Sequence, residues 1–152
     1  MTHPVDDLRA FLLGSWTVER TITTLDGHPA GGFTGTASWQ PVDGDDARLD
    51  HLEVGTAHLG DHVGPAERRL RYRVVGARAE VRFADGRRFH DLDLADGRDV
   101  VAHPCRADAY EGAFEVLDAD TWTQVWVVRG PAKAHRLATT LRRSSRWDAT
   151  RR

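Results

Sequence analysis

The stretch 80–114 holds two of the chain's eight histidines, its only cysteine and one of its two tyrosines. His90 is a candidate proton-transfer group: a histidine titrates at about pH 6.5, and burial or a carboxylate such as Asp108 moves it across neutrality. Tyr110 is a candidate donor to a developing oxyanion. His103 stands two residues from Cys105, so the two share a face of an extended chain, and a neighbouring histidine lowers a thiol pKa. Side chains so spaced stand roughly 6–7 Å apart, at a rise of about 3.3 Å per residue. Cys105 therefore reads as a small buried packing residue rather than a reactive thiol. His90, His103, Cys105 and Asp108 contain no HxxxH or CxxC pair, and no metal is assigned to them.

These residues need strands to position them. Asp85-Gly86 and Asp96-Gly97 are hairpin signals, because Asp-Gly accepts the positive φ angles of tight turns. Between them Phe89, Asp91 and Asp93 alternate with His90, Leu92 and Leu94, which places His90 on the core-facing side with two leucines. The same period of two runs through 16–24, 33–39, 47–55, 68–75, 79–84, 110–116, 122–129 and 134–143. Trp16, Val18, Arg20 and Ile22 share one face, and Trp122, Gln124, Trp126 and Val128 another. Leu70, Tyr72 and Val74 point inward while Arg69, Arg71 and Arg73 point out, and the Arg68-Arg69 and Arg87-Arg88 pairs read as solvated. Pro104 marks an edge or a strand end. Residues 4–13 form the one expected helix, with Pro4 in its first turn, Asp6 and Asp7 at its positive end and Gly14 at its stop.

About ten short strands with turn chemistry between them form a sandwich or a barrel. Short connections and recurrent polar residues on the inward face select the barrel, since a solid core leaves buried polar groups without partners. The expected fold is all-β: an antiparallel, up-and-down, closed barrel of about ten strands, with a short N-terminal helix at one end. One domain spans 1–152, with the helix in 1–13 and a polar tail in 144–152.

Composition excludes several classes. The formal net charge of -2 offers nothing to nucleic acid or an anionic membrane. No run approaches the roughly 18 apolar residues of a membrane span, and the N-terminus lacks a basic region followed by an apolar one. One cysteine makes no internal disulfide. The expected location is cytoplasmic, as a monomer or homodimer. With no phosphate-cradling glycine loop or nucleotide fingerprint, no cofactor is expected. Lys133, after Gly130-Pro131, belongs to a rim.

The helix, Gly14-x-Trp16 on the first strand, the meander and a late arginine resemble the lipocalin-like (calycin) barrels. In those proteins the tryptophan closes one end of the barrel and the arginine packs over its indole. The resemblance implies a pair of Trp16 with Arg142 or Arg143. Ten strands place the chain nearer the fatty-acid-binding and nitrobindin-like barrels. Thr17-Val18-Glu19 departs from the small, glycine-rich run of the haem-binding nitrobindins and speaks against haem. GSWTVER, DGRRFHDLDL, HPCRADAYEGAF and WVVRGPAK followed by LATTLRR resemble a bacterial family of lipocalin-like proteins carrying domain of unknown function 6314.

Two functions fit this reading. One is a pocket for a small organic molecule, lined by Arg20, His51, Glu53, Tyr72 and Trp126 together with His90, His103 and Tyr110. The other is a cofactor-independent isomerase, cyclase, lyase or hydratase that uses His90, His103 and Tyr110 as acid–base groups. Glu53 with Arg20 is either a buried pair or a handle for a polar substrate.

Overall fold

A computed structural model describes residues 2–148. The alternating stretches become ten antiparallel strands: β1 (Gly14–Thr24), β2 (Pro29–Val42), β3 (Asp45–Leu59), β4 (His62–Val75), β5 (Arg78–Phe83), β6 (Arg88–Asp93), β7 (Arg98–Cys105), β8 (Asp108–Asp118), β9 (Thr121–Gly130) and β10 (Lys133–Arg146). Each pairs with its neighbours in sequence, and β1 pairs with β10, so the sheet curls into an up-and-down barrel. Only the seam between β6 and β7 lacks a ladder among the described residues. There Asp99 substitutes a side chain for the missing backbone partner, its carboxylate accepting from the Asp93 N–H at 2.8 Å. Pro104 lies on the seam-side strand β7, where no ladder asks for its missing N–H.

Most strands run further than the expected stretches. Pro65 is tolerated inside β4 because β5 pairs only with Leu70 to Val75, so β4 is an edge where the proline sits. The polar tail also begins later than expected. β10 continues through Ser144 to Arg146, paired with Gly14 and Ser15, and residues 149–152 of that tail lie outside the described residues.

The helix is shorter than 4–13: α1 spans Leu8–Leu12. Asp7 caps it, its carboxylate accepting from the Ala10 N–H at 3.0 Å. The residues before it are needed elsewhere. His3 N–H donates to Val116 O at 2.8 Å and Val5 N–H to Leu94 O at 3.0 Å, which ties an extended strap across the barrel end. Helical geometry over Pro4 to Asp6 would break these bonds. Gly14 does not end the helix; it opens β1 at φ 119, a conformation that strains any L side chain. No helix is long and apolar enough to cross a membrane among the described residues.

α1 and the strap floor the barrel. Leu8, Leu12 and Trp16 are fully buried there, beside Trp39 and Trp122. The Trp16 indole N–H donates to Leu12 O at 3.0 Å, joining strand to helix. Arg143, not Arg142, packs over the Trp16 indole, with its guanidinium carbon 4.2 Å from the ring centroid. Its Nη2 donates to the carbonyls of Phe11 and Ala119, both at 2.9 Å, and its Nε to Asp120 at 2.8 Å. One side chain thus binds the helix end, the β8–β9 turn and the first strand. Arg143→Ala is expected to lower stability in urea unfolding by about 3 kcal/mol, through lost charge-assisted bonds and ring contact. Arg143→Lys should recover less than half, because lysine lacks the planar fork. A loss under about 0.5 kcal/mol for Arg143→Ala, the usual range of surface changes, would remove this contact from the account of the fold.

Candidate functional site

With the floor closed, the lumen opens at the other end, among the turns that join β1 to β2, β3 to β4, β5 to β6, β7 to β8 and β9 to β10. The half nearest the floor is packed solid. His51 stacks on Trp39 with ring centroids 4.1 Å apart, and Tyr72 meets both rings edge-on at 5.7 Å. His51 Nδ1 donates to Ser38 O at 3.1 Å, since a carbonyl only accepts. Burial, followed by the charge of Arg68, pushes the His51 pKa down to about 3, so the ring is neutral. Burial raises the Tyr72 phenol to about 12. Both residues are packed into the core.

Above this layer runs a polar arc. Arg20, inward on β1, grips Glu53 of β3 with two parallel bonds of 2.8 and 2.9 Å, and its Nε donates to Thr139 Oγ1 of β10 at 2.8 Å. Its guanidinium also lies over Phe33, 5.2 Å from the ring centroid. The arginine–carboxylate fork is therefore a buried pair. Burial alone would raise the Glu53 pKa, but the Arg20 bonds and the charges of Arg68 and Arg20 outweigh it and hold it low. Thr139 pairs across the ladder with Gln124 of β9, a residue 8% exposed. At the other end of the arc, Arg68 of β4 reaches Glu53 at 3.7 Å. Arg68 is exposed, as the sequence reading had it, yet it stands on the inward register. Arg68 is two residues before Leu70, so the alternation that aims Leu70, Tyr72 and Val74 inward aims Arg68 inward too.

The facing wall is aromatic. The β5–β6 register shifts between Val81 and Arg82: Val81 pairs with His90 and Arg82 with Arg88, leaving Phe89 unpaired. This bulge turns Phe89 inward, against the outward placement that strict alternation implies. Phe89 then stacks between Phe83 (centroids 4.6 Å, interplanar 16°) and Trp126 (5.2 Å, 19°). Trp126 lies flat on Gly112, where an added Cβ would come within 2.9 Å of the indole. All three stacked rings are half-buried at the open end.

The histidines flank this stack. His90 is buried against Phe89, Phe114 and Trp126, at 4.7, 5.4 and 5.5 Å between centroids. Its Nδ1 donates to Asp91 O at 3.0 Å, leaving Nε2 with the lone pair, and burial lowers its pKa. His103, half-buried, meets Phe83 and Phe89 edge-on at 5.7 and 5.2 Å and Tyr110 at 6.1 Å. His90, His103 and Tyr110 thus join one cluster, with Phe89 touching both histidines. Asp108 does not poise a histidine; it pairs with Lys133 at 3.5 Å, on the rim. The Lys133 ammonium also donates to the Tyr110 hydroxyl at 3.4 Å, a bond that raises the lysine's pKa. Cys105 is exposed at the end of β7, which corrects its reading as a packing residue: the strand ends at the rim, beyond the core. No group of three His, Cys, Asp or Glu among the described residues is placed to hold a metal ion.

Two cavities lie on the wall at the seam rather than in the lumen, and Asp99 lines both. One, of 440 Å³, is bordered by Arg73, Arg78, Glu80 and Asp93; the other, of 490 Å³, by Arg98, Val100, Ala113 and Val125. None of the eight site residues expected from sequence lines either. Phe83, Phe89 and Arg68, which sequence reasoning passed over, face the lumen, as does Gln124, which alternation had already placed on an inward face. Arg68 carried a signal in its alternation, whereas the bulge at Phe89 carried none.

The sequence pattern of one family matches residues 12–143, from the end of α1 to the arginine over Trp16. The chain belongs to the family of unknown function DUF6314. None of the curated proteins matches it. Among solved structures, the S-type phycobiliprotein lyase of Guillardia theta is similar over 90% of both chains, with a TM-score of 0.64 at 12% identity. A DUF3598-family protein of unknown function from Nostoc punctiforme matches 93% of this chain at TM-score 0.63 and 16% identity; the alignment takes in 51% of that longer chain. At these identities the likeness is one of fold. The DUF6314 chain shares the lipocalin-like barrel with both.

The two buried histidines of the DUF6314 barrel link its stability to pH. Both have folded pKa values below the unfolded value of about 6.5, so below that pH the unfolded chain binds more protons. Stability is complete above pH 6.5 and falls as pH drops toward the folded pKa values. His51, lowered to about 3, contributes a slope of about 1.4 kcal/mol per pH unit between about pH 6.5 and 5. Urea midpoints measured across that window should fall less steeply for His51→Gln than for the wild type. Equal slopes would contradict the neutral, buried ring.

Proposed function

We propose that this barrel binds a small organic molecule in its open half. The observation that carries the reading is the half-buried stack of Phe83, Phe89 and Trp126, three near-parallel rings whose outer edges meet solvent at the mouth. Apolar ring surface is costly to leave wet, and a planar ligand covers it at little entropic cost. Trp126, His103 and Tyr110 are the direct contacts in this reading. His51, Tyr72, Arg20 and Glu53 hold the wall from behind. Trp16, Trp39 and Trp122 are fully buried, so Trp126 is the lumen tryptophan that reports a ligand. Titrating the protein with a metabolite panel should give a saturable fluorescence change for at least one compound, weakened at least tenfold in Trp126→Leu. A panel silent in both fluorescence and calorimetry would remove the pocket.

A second reading, acid–base catalysis without a cofactor, is favoured by one arrangement. His90 is neutral with its Nε2 lone pair available, and Tyr110, at the other side of the cluster, accepts a bond from Lys133. A neutral imidazole on one side of a bound compound and a phenol held by a cation on the other can withdraw one proton and return another. In this reading His90→Gln and Tyr110→Phe each lower turnover of a bound compound at least tenfold, about 1.4 kcal/mol of barrier, with circular dichroism unchanged. Unaltered turnover in both variants would leave binding alone.

A further inference from the structure

The polar arc has two open ends. Arg68–Glu53–Arg20–Thr139 runs through four strands, and Gln124, the cross-strand partner of Thr139, extends it to a fifth. Arg20 is held at all three of its nitrogens: both η-nitrogens hold Glu53 and Nε holds Thr139. Arg68 is not. Its one polar contact among the described residues is the 3.7 Å approach to Glu53, which is too long for a hydrogen bond. Its side chain is 42% exposed, yet its charge reaches deep groups: after burial itself, it is the next cause lowering His51, and it also acts on His90 and Tyr72. Paired with the inward-facing Glu53 and 3.7 Å from its carboxylate, the guanidinium stands at the mouth of the lumen. Gln124 is 92% buried on the inward face of β9, and its amide makes no hydrogen bond among the described residues.

Charge points the same way. Arg20 and Arg68 against Glu53 leave one positive charge uncompensated within the arc, and both buried histidines are neutral. An oxyanion that takes the free forked N–H donors of Arg68 matches that charge with two parallel bonds. The register places this cation beside the ring stack. Leu70 pairs with Phe83, and Arg68 is the next inward position on β4.

We infer that Arg68 is the anchor for a carboxylate on a planar aromatic or conjugated ligand, whose body covers the Phe83–Phe89–Trp126 stack while Gln124 meets a polar group on its far side. This deepens the pocket reading and rests on it.

The test uses 2-naphthoate, the uncharged and nearly isosteric 2-naphthamide, and 2-naphthyl phosphate, each titrated calorimetrically into the full chain. Wild type should bind the naphthoate at least tenfold tighter than the naphthamide. In Arg68→Gln that preference should vanish through loss of naphthoate affinity, with naphthamide binding unchanged. If Arg68→Gln does not fold, Arg68→Lys, which keeps the charge but not the fork, should cut the preference at least threefold. Equal affinities in wild type, a preference that survives Arg68→Gln, or one that Arg68→Lys leaves undiminished, would overturn the carboxylate anchor while leaving the pocket standing. Tighter binding of the naphthyl phosphate than of the naphthoate would reassign the anchor to phosphate and overturn it as well. Failure of all three probes to bind would sink anchor and pocket together.

Discussion

The stacking of Arg143 on Trp16 is the constraint from which the layout of this barrel follows. A ten-stranded barrel has two ends, and a protein that closes neither has no dry core. Here the last strand delivers a guanidinium onto the first strand's indole and, from that position, to the carbonyls of Phe11 and Ala119. The floor thus joins helix, first strand, last strand and the β8–β9 turn in one place. Val5, Leu8 and Leu12 have somewhere to go because that floor exists, and a five-residue helix is stable only because it is packed there. The half-buried rings of Phe83, Phe89 and Trp126 are left at the opposite end.

The open end is lopsided. β3 and β4 run for 15 and 14 residues, whereas β5 and β6 run for 6 each. The wall is therefore low on the side that carries Phe83 and Phe89. The seam lies next to it, closed by the Asp99 carboxylate in place of a ladder. A short hairpin with a bulge at such a rim is a usual device for re-aiming one side chain without disturbing the rest of a sheet. Phe89 is that side chain here, and the ring stack would not form without it.

The lumen divides into a polar arc on β4, β3, β1 and β10 and an aromatic wall on β5, β6 and β9. The division has an electrostatic reason. Glu53 is tolerated at 4% exposure only because Arg20 meets it with two bonds, and Arg20 in turn needs Thr139 for its third donor. Once such a network is started it recruits polar neighbours, and apolar rings collect on the strands that face it. The two regions converge at the mouth, where Arg68 stands next to Phe83.

Alternation along the chain, with short connections and polar residues on the inward face, determined that the fold is an antiparallel barrel, that Trp16, Trp39 and Trp122 belong to its core, and that Arg20, His51, Glu53 and His90 face inward. Those properties are local, because a period of two and an Asp-Gly turn act through nearest neighbours. Pro104 at the ladder-free seam was legible for the same reason. What tertiary structure alone decided depends on partners distant in sequence. Helical propensity over 4–13 yielded to backbone bonds that tie His3 and Val5 to Val116 and Leu94. Glu53 became the partner of Arg20 instead of a ligand handle because barrel closure and shear brought β1 and β3 side chains together. Asp108 went to Lys133 across a turn. Phe89 turned inward through a register shift that no residue announces, since a bulge is a property of a strand pair and not of a strand.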